Sequence, residues 1–208
     1  MDNDKQAHIL ALTMQKGGVG KTTSTLNIAT ELAKKKYKVL VVDIDPQANA
    51  TQGLGIDLDE AEPDYNIYDV LLNPEKGVAF ATIPTESNID LIPATLDLAG
   101  AESELSGTVG RELLLRDALA QARYDYDYIL VDSPPNLGLF TLNAMAAATS
   151  LIVPVQAHVY AYKALPKLEK TIALVTKLNP AIAIGGIIVT QYDGRTNLSP
   201  TITLRLRK

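Results

Sequence analysis

Between residues 15 and 23 the chain reads QKGGVGKTT. Gly17, Gly18 and Gly20 allow backbone N–H groups to converge on a single anion, since glycine accepts left-handed backbone and puts no side chain in the way. Lys21 adds a cation with the reach to meet the β- and γ-phosphates of a nucleotide. The Thr22 hydroxyl is a hard oxygen of the kind that ligates Mg²⁺. The strict phosphate-loop pattern asks for glycine five places before Gly20. Gln15 stands there instead, and a second lysine, Lys16, follows it. A dinucleotide-binding reading fails on spacing, because its third glycine would fall at 23, which is Thr23. The competing reading is a glycine-rich turn with surface lysines. The Lys-Thr-Thr that follows the glycines argues against it.

Two further stretches carry acids at the ends of apolar runs. VVDIDPQAN (41–49) places Asp43 and Asp45 where a buried strand stops, and YILVDSPP (128–135) does the same with Asp132. Acids in such a place need a metal, a cation or water beside them. A strand-end aspartate is also what phosphoryl-transfer sites use to hold Mg²⁺, directly or through water. Asp132 is the candidate for that role. For the pair at 43 and 45 the alternative is solvated loop acids that cap a helix.

These residues need a scaffold, and the hydrophobic pattern supplies one. HILALTM (8–14), KVLVVDID (38–45), IDLIPAT (89–95), YDYILVD (126–132), SLIVPVQ (150–156) and AIGGIIVT (183–190) read as strands. Helices are expected over 22–36, near 67–72, and over 110–123, 139–149 and about 160–178. Continuous apolar strands alternating with helices define an α/β fold, a mostly parallel sheet with helices on both faces. The 15–23 loop then lies between a strand and a helix, the setting a phosphate loop requires, and the acids lie at the carboxyl edge where such sheets bind ligands.

Composition narrows the function classes. The 208 residues are 47% hydrophobic and 21% charged, which suits a folded chain with a sizeable core. No apolar run is long enough to span a membrane, and MDNDKQAHIL is not a secretory signal, so the cytoplasm is the expected compartment. The absence of cysteine excludes disulfides and thiolate chemistry. Aromatic residues make up 5%, with no Trp, which argues against base-stacking platforms. His8 and His158 stand alone and read as packing residues. The net charge of −5 hides an asymmetry: residues 57–104 hold twelve acids and one base, Lys76. The rest of the chain is therefore net basic, and one face can be cationic.

KGGVGKTT, DIDPQANAT (43–51), VDSPPNLG (131–138), PVQ (154–156) and YDGRTNLS (192–199) together resemble the ParA/Soj-type partition ATPases, in the deviant Walker A group that includes MinD. The resemblance runs along most of the chain and implies a P-loop NTPase-like fold binding ATP and Mg²⁺. It implies one ATPase domain over residues 1–208, shorter at its C-terminal end than the family, whose pattern continues with a helix, a strand and a Pro-Arg segment. It assigns ATP to Lys16, Gly17, Gly18, Val19, Gly20, Lys21, Thr22 and Thr23. Magnesium is assigned to Thr22, Asp43 and Asp132, and catalysis to Lys16, Lys21 and Asp45. By the same resemblance Lys16 crosses to a partner's phosphates in an ATP-dependent homodimer, and Asp45 orients the attacking water. Arg195 is implied in contact with non-specific DNA, and a ParB-like centromere-binding protein in stimulating hydrolysis. The resemblance thus implies a nucleoid-associated switch that positions a plasmid, chromosome or other cargo.

Lys163, Lys167, Lys170 and Lys177 recur at helical spacing within an arc of about 80°, and after Asp193 the chain has no acid. These groups could track phosphates without reading sequence, or form an ordinary solvated helix face. TITLRLRK alternates like a strand, yet Ser199-Pro200 is a helix start, and a helix is expected there. Two other functions remain in view: a membrane-directed, MinD-like division-site regulator, and a nucleotide-binding module without turnover. The MinD-like reading would require a terminal amphipathic membrane helix, which this sequence does not show.

Overall fold

The computed structural model describes residues 6–60, 63–157, 161–195, 200 and 203–204, except for the side chains of 161–167. Among them are strands His8–Leu12 (β1), Val39–Asp43 (β2), Ile83–Pro84 (β3), Asp90–Ile92 (β4), Tyr128–Asp132 (β5), Ser150–Gln156 (β6) and Ile184–Thr190 (β7). They form one sheet in the order β3-β4-β2-β5-β1-β6-β7. Pairing is parallel apart from β3 with β4. The helices are Lys21–Lys34 (α1), Asn49–Gly53 (α2), Ile67–Leu72 (α3), Leu98–Glu104 (α4), Leu114–Ala118 (α5), Leu139–Ala147 (α6) and Ala161–Val175 (α7). This is the α/β fold expected from the alternation of strands and helices, and it agrees with the P-loop NTPase-like fold that the resemblance implies.

Alternation along the strands divides the core in two. Ile9, Leu40, Val42, Ile92 and Val131 pack with α4, α5 and α6 through Leu98, Leu115, Phe140 and Ala144. Their neighbours Leu12, Val39, Val41, Leu91 and Leu130 pack on the other face against Ala29, Leu26 and Leu32 of α1. Both faces of the central strands are thus covered, which is why those strands are apolar throughout. Register places Asp43 beside Asp132 and Leu12 beside Asp132, so β1, β2 and β5 end level at one edge.

The sequence pattern departs from the structure in three ways. The helix expected over 110–123 is broken: turns of 3-10 helix at Arg111–Leu113 and Ala122–Tyr124 flank the five-residue α5. The buried Asn143 of α6 accounts for the first break, since its amide donates to the Arg111 carbonyl at 2.8 Å and its oxygen accepts the Leu115 N–H at 3.0 Å. Those backbone groups are therefore satisfied from outside the helix. The strands expected over 38–45 and 89–95 stop at Asp43 and Ile92, before Pro46 and Pro93. Helix α2, strand β3 and helix α4 lie in stretches with no assigned element, and the strand expected over 8–14 stops at Leu12. Near the C-terminus, Pro200, Thr203 and Leu204 are helical, as the Ser-Pro start predicts.

Candidate nucleotide site

The loop between β1 and α1 owes its path to its glycines. Gly18 and Gly20 take left-handed backbone, with φ 69° and 86°, and Gly20 forms the N-cap of α1. No side chain caps that helix, so its first N–H groups face outward as an anion-binding end. Gly17, Gly18, Gly20, Lys21, Thr22 and Thr23 line a cleft of about 640 Å³. Leu26 and Asn27 of α1 continue the wall, and Asp45, Gln47 and Asn49 close it from the loop after β2.

Lys21 lies only 7% exposed at the base of this cleft. Burial pushes its ammonium below the ordinary range, and the carboxylates of Asp132 and Asp45 draw it back up. Asp132, at the end of β5, accepts the Thr22 hydroxyl at 2.6 Å and the Thr25 hydroxyl at 3.1 Å. Burial raises Asp132 to about 6, against the pull of these hydroxyls and of Lys21. A buried cation, a hydroxyl and a carboxylate are therefore joined at the mouth of one helix. The Thr22–Asp132 pair consists of hard oxygens, the donor type magnesium prefers. Among the described residues no cluster of three or more His, Asp or Glu side chains could hold a metal. An ion held by Thr22 would thus need phosphate and water oxygens to complete its shell.

Asp43 and Asp45 part company. Asp45 reaches the cleft wall, where its Oδ1 accepts the Gln47 N–H at 3.0 Å. Asp43 is fully buried and its oxygens are engaged by the Thr51 N–H and hydroxyl, both at 2.8 Å, and by the Asp45 N–H at 3.1 Å. It shapes the turn that presents Asp45. Burial, with the charge of Asp132 adding to it, raises Asp43 to about 7.

Lys16 is not part of the cleft wall; its ammonium donates to Gln156 Oε1 at 2.5 Å. Val19 is buried beside Met14, Val153, Val155 and Leu168, and its side chain points away from the cleft wall into that packing. Gln15 ties the loop to α7 by donating to the Thr171 hydroxyl at 2.7 Å. Of the candidate DNA contacts, Arg195 is open to solvent and paired with Asp193 through its Nε and Nη2, both at 2.9 Å. Lys170 is exposed on α7, as is Lys177 just beyond it. The side chains of Lys163 and Lys167, and all of His158, lie outside the described residues. His8 is exposed at the start of β1 and stacks on Tyr128.

Sequence reasoning did not assign Asn27, Gln47, Asn49, Pro135 or Gln191 to the cleft, though all line it. Gln47 and Asn49 lie inside the DIDPQAN stretch, so the signal was present. Gln191 is brought there only by the placement of β7.

A loop of this shape at the carboxyl edge of a parallel sheet defines a P-loop-type nucleotide-binding protein. A family model described as an AAA domain matches residues 7–184. The chain is 45% identical to the sporulation initiation inhibitor protein Soj of Bacillus subtilis over 201 residues, 96% of this chain and 79% of Soj. It is also 45% identical to the chromosome partitioning protein ParA of Myxococcus xanthus over 201 residues, 96% of this chain and 70% of that protein. Among solved structures, the cobyrinic acid a,c-diamide synthase of Mycobacterium smegmatis with bound ADP and magnesium superposes with a TM-score of 0.88. It is 38% identical, over 97% of this chain and 81% of that one. The chain belongs to the Soj and ParA family of partition proteins. No helix among the described residues is long and apolar enough to cross a membrane.

Proposed function

We propose that this chain is a magnesium-dependent ATPase that works as an ATP-switched homodimer on non-specific DNA, at the nucleoid, to partition a plasmid, chromosome or other cargo. The observation that carries the reading is the buried Lys21 beside the Thr22–Asp132 pair, with Asp45 lining the same cleft. Lys21 and the loop N–H groups take the phosphates, and Thr22, oriented by Asp132, holds Mg²⁺, which neutralises charge on the transferring phosphoryl group. Asp45 holds water in line with the terminal phosphate. Lys16, off its own cleft wall, acts across the dimer, where a cation supplied in trans is worth about 10³–10⁵ in rate. In this reading Arg195, Lys163, Lys167 and Lys170 bind the DNA backbone, and a ParB-like partner accelerates turnover. The Soj and ParA relatives, one of them a chromosome partitioning protein, support this reading.

Phosphate release measured with and without DNA and the centromere-binding partner tests it. Slow basal turnover, accelerated by both together and abolished in Lys16→Ala while ATP binding persists, is expected. Wild-type turnover in Lys16→Ala removes the trans mechanism. ATP binding with no turnover under any condition leaves a nucleotide-binding module. Sedimentation with lipid vesicles in place of DNA marks a membrane-directed regulator.

A further inference from the structure

The carbonyl oxygen of Gly18 accepts two side-chain amides. Gln156 Nε2, from the last residue of β6, lies at 2.8 Å, and Gln191 Nε2, from the residue after β7, lies at 3.0 Å. One peptide further on, the Thr190 hydroxyl donates to the Val19 carbonyl at 2.8 Å. The ends of two neighbouring strands thus grip consecutive carbonyls of the phosphate loop. In a planar trans peptide the carbonyl and the following N–H point in opposite directions. Drawing the Gly18 and Val19 carbonyls toward β6 and β7 therefore turns the Val19 and Gly20 N–H groups away from those strands. Gln191 holds left-handed backbone, φ 51°, unfavourable for a residue with a side chain, and this places its amide on Gly18. Gln156 does a second task with its other end, where Oε1 holds Lys16.

We propose that Gln156 and Gln191 are positioning residues for polyphosphate: together they fix the Gly18–Val19 peptide with its N–H presented to a phosphate oxygen. The proposal rests on the reading of the cleft as a nucleotide site. Amides suit the task because they donate to a carbonyl without adding negative charge beside the phosphates. Two donors on one acceptor also make the grip redundant, so losing either leaves the peptide oriented and losing both frees it.

The test replaces each glutamine by methionine, similar in length but without the donor, singly and together. Affinity is measured with ATP and with inorganic tripolyphosphate, and the melting midpoint is taken without nucleotide. Each single variant is expected to bind both probes within about threefold of wild type, and the double variant about thirtyfold more weakly. The midpoint should be unchanged, since neither glutamine belongs to the core. Wild-type affinity in the double variant overturns the proposal, as does a loss that is merely the product of the two single losses. A fall in midpoint that accompanies the loss assigns the glutamines to the fold and overturns it too. Failure of the wild-type chain to bind either probe removes the nucleotide reading itself, an outcome distinct from the others.

Discussion

At the scale of single residues, the chemistry rests on a lysine kept in a place where a cation is costly. Lys21 is buried, and two carboxylates make that tolerable. Replacing it with alanine removes one charge-assisted contact to phosphate, worth roughly 1.5–3 kcal/mol, so ATP affinity should fall about ten- to hundredfold by titration. Unchanged affinity would show that the phosphates lie elsewhere. The two buried aspartates give a pH prediction. Their folded values, about 7 for Asp43 and about 6 for Asp132, lie above the ordinary carboxylate value of 3.8. The folded chain therefore binds protons more readily than the unfolded one. The stability this adds is complete at acid pH and is lost as pH rises through those values. Nucleotide-free protein should melt at lower temperature at about pH 8 than at about pH 5.5, and Asp43→Asn should flatten that difference. An equal difference in both proteins would mean that Asp43 stays ionised throughout.

At the scale of elements, the small side chains that organise backbone matter as much as the catalytic ones. Asn143 links α6 to the broken segment before α5 and also donates to the Leu139 carbonyl at 3.0 Å. Asn143→Ala strands a buried N–H and a partly buried carbonyl, and should lower stability by about 1–3 kcal/mol in urea unfolding with the slope unchanged. A loss under about 0.5 kcal/mol would mean that water or a shifted helix replaces the amide. The same residue shows where sequence reading stops. Leu114, Leu115 and Ala118 carry an apolar pattern that fits a helix well enough, but nothing local says that an asparagine far along the chain will take over two of its backbone groups. The strands were legible because Val39–Val42 and Ile129–Val131 are apolar on both faces, something a buried parallel strand requires. The β1–α1 loop was legible because its chemistry is contiguous. Asp43 and Asp45 looked equivalent in sequence, and only the turn closed by Thr51 separates the fully buried acid from the one on the cleft wall. Gln156 and Gln191 carry no local signal, because their meaning comes from β6 and β7 lying side by side over the loop.

At the scale of the whole molecule, the proposed switch predicts a change of state. Asp45→Ala leaves the phosphate cradle intact and removes the group that would hold water, so the loss falls on the chemical step rather than on binding. With ATP and magnesium this variant should elute from size exclusion as a long-lived dimer, while the wild type returns to monomer as nucleotide is consumed. A variant that stays monomeric, or one that turns over normally, takes that role from Asp45.

The strand order has a consequence for how such a chain meets a polyanion. The acidic stretch 57–104 supplies β3 and β4 at one edge of the sheet, while α7 and Arg195 accompany β6 and β7 at the other. Six interstrand spacings of about 4.8 Å separate the edges, about 29 Å in all. That is more than three screening lengths of about 8 Å at physiological ionic strength. A charged rod touching the β7 edge would therefore feel little of the acids borne at the β3–β4 edge, such as Asp90. On the proposed reading, the same separation would make the molecule an electric dipole that turns in the field of an approaching polyanion with its β7 edge leading. Net charge would then say little about encounter, and orientation during diffusion would say most.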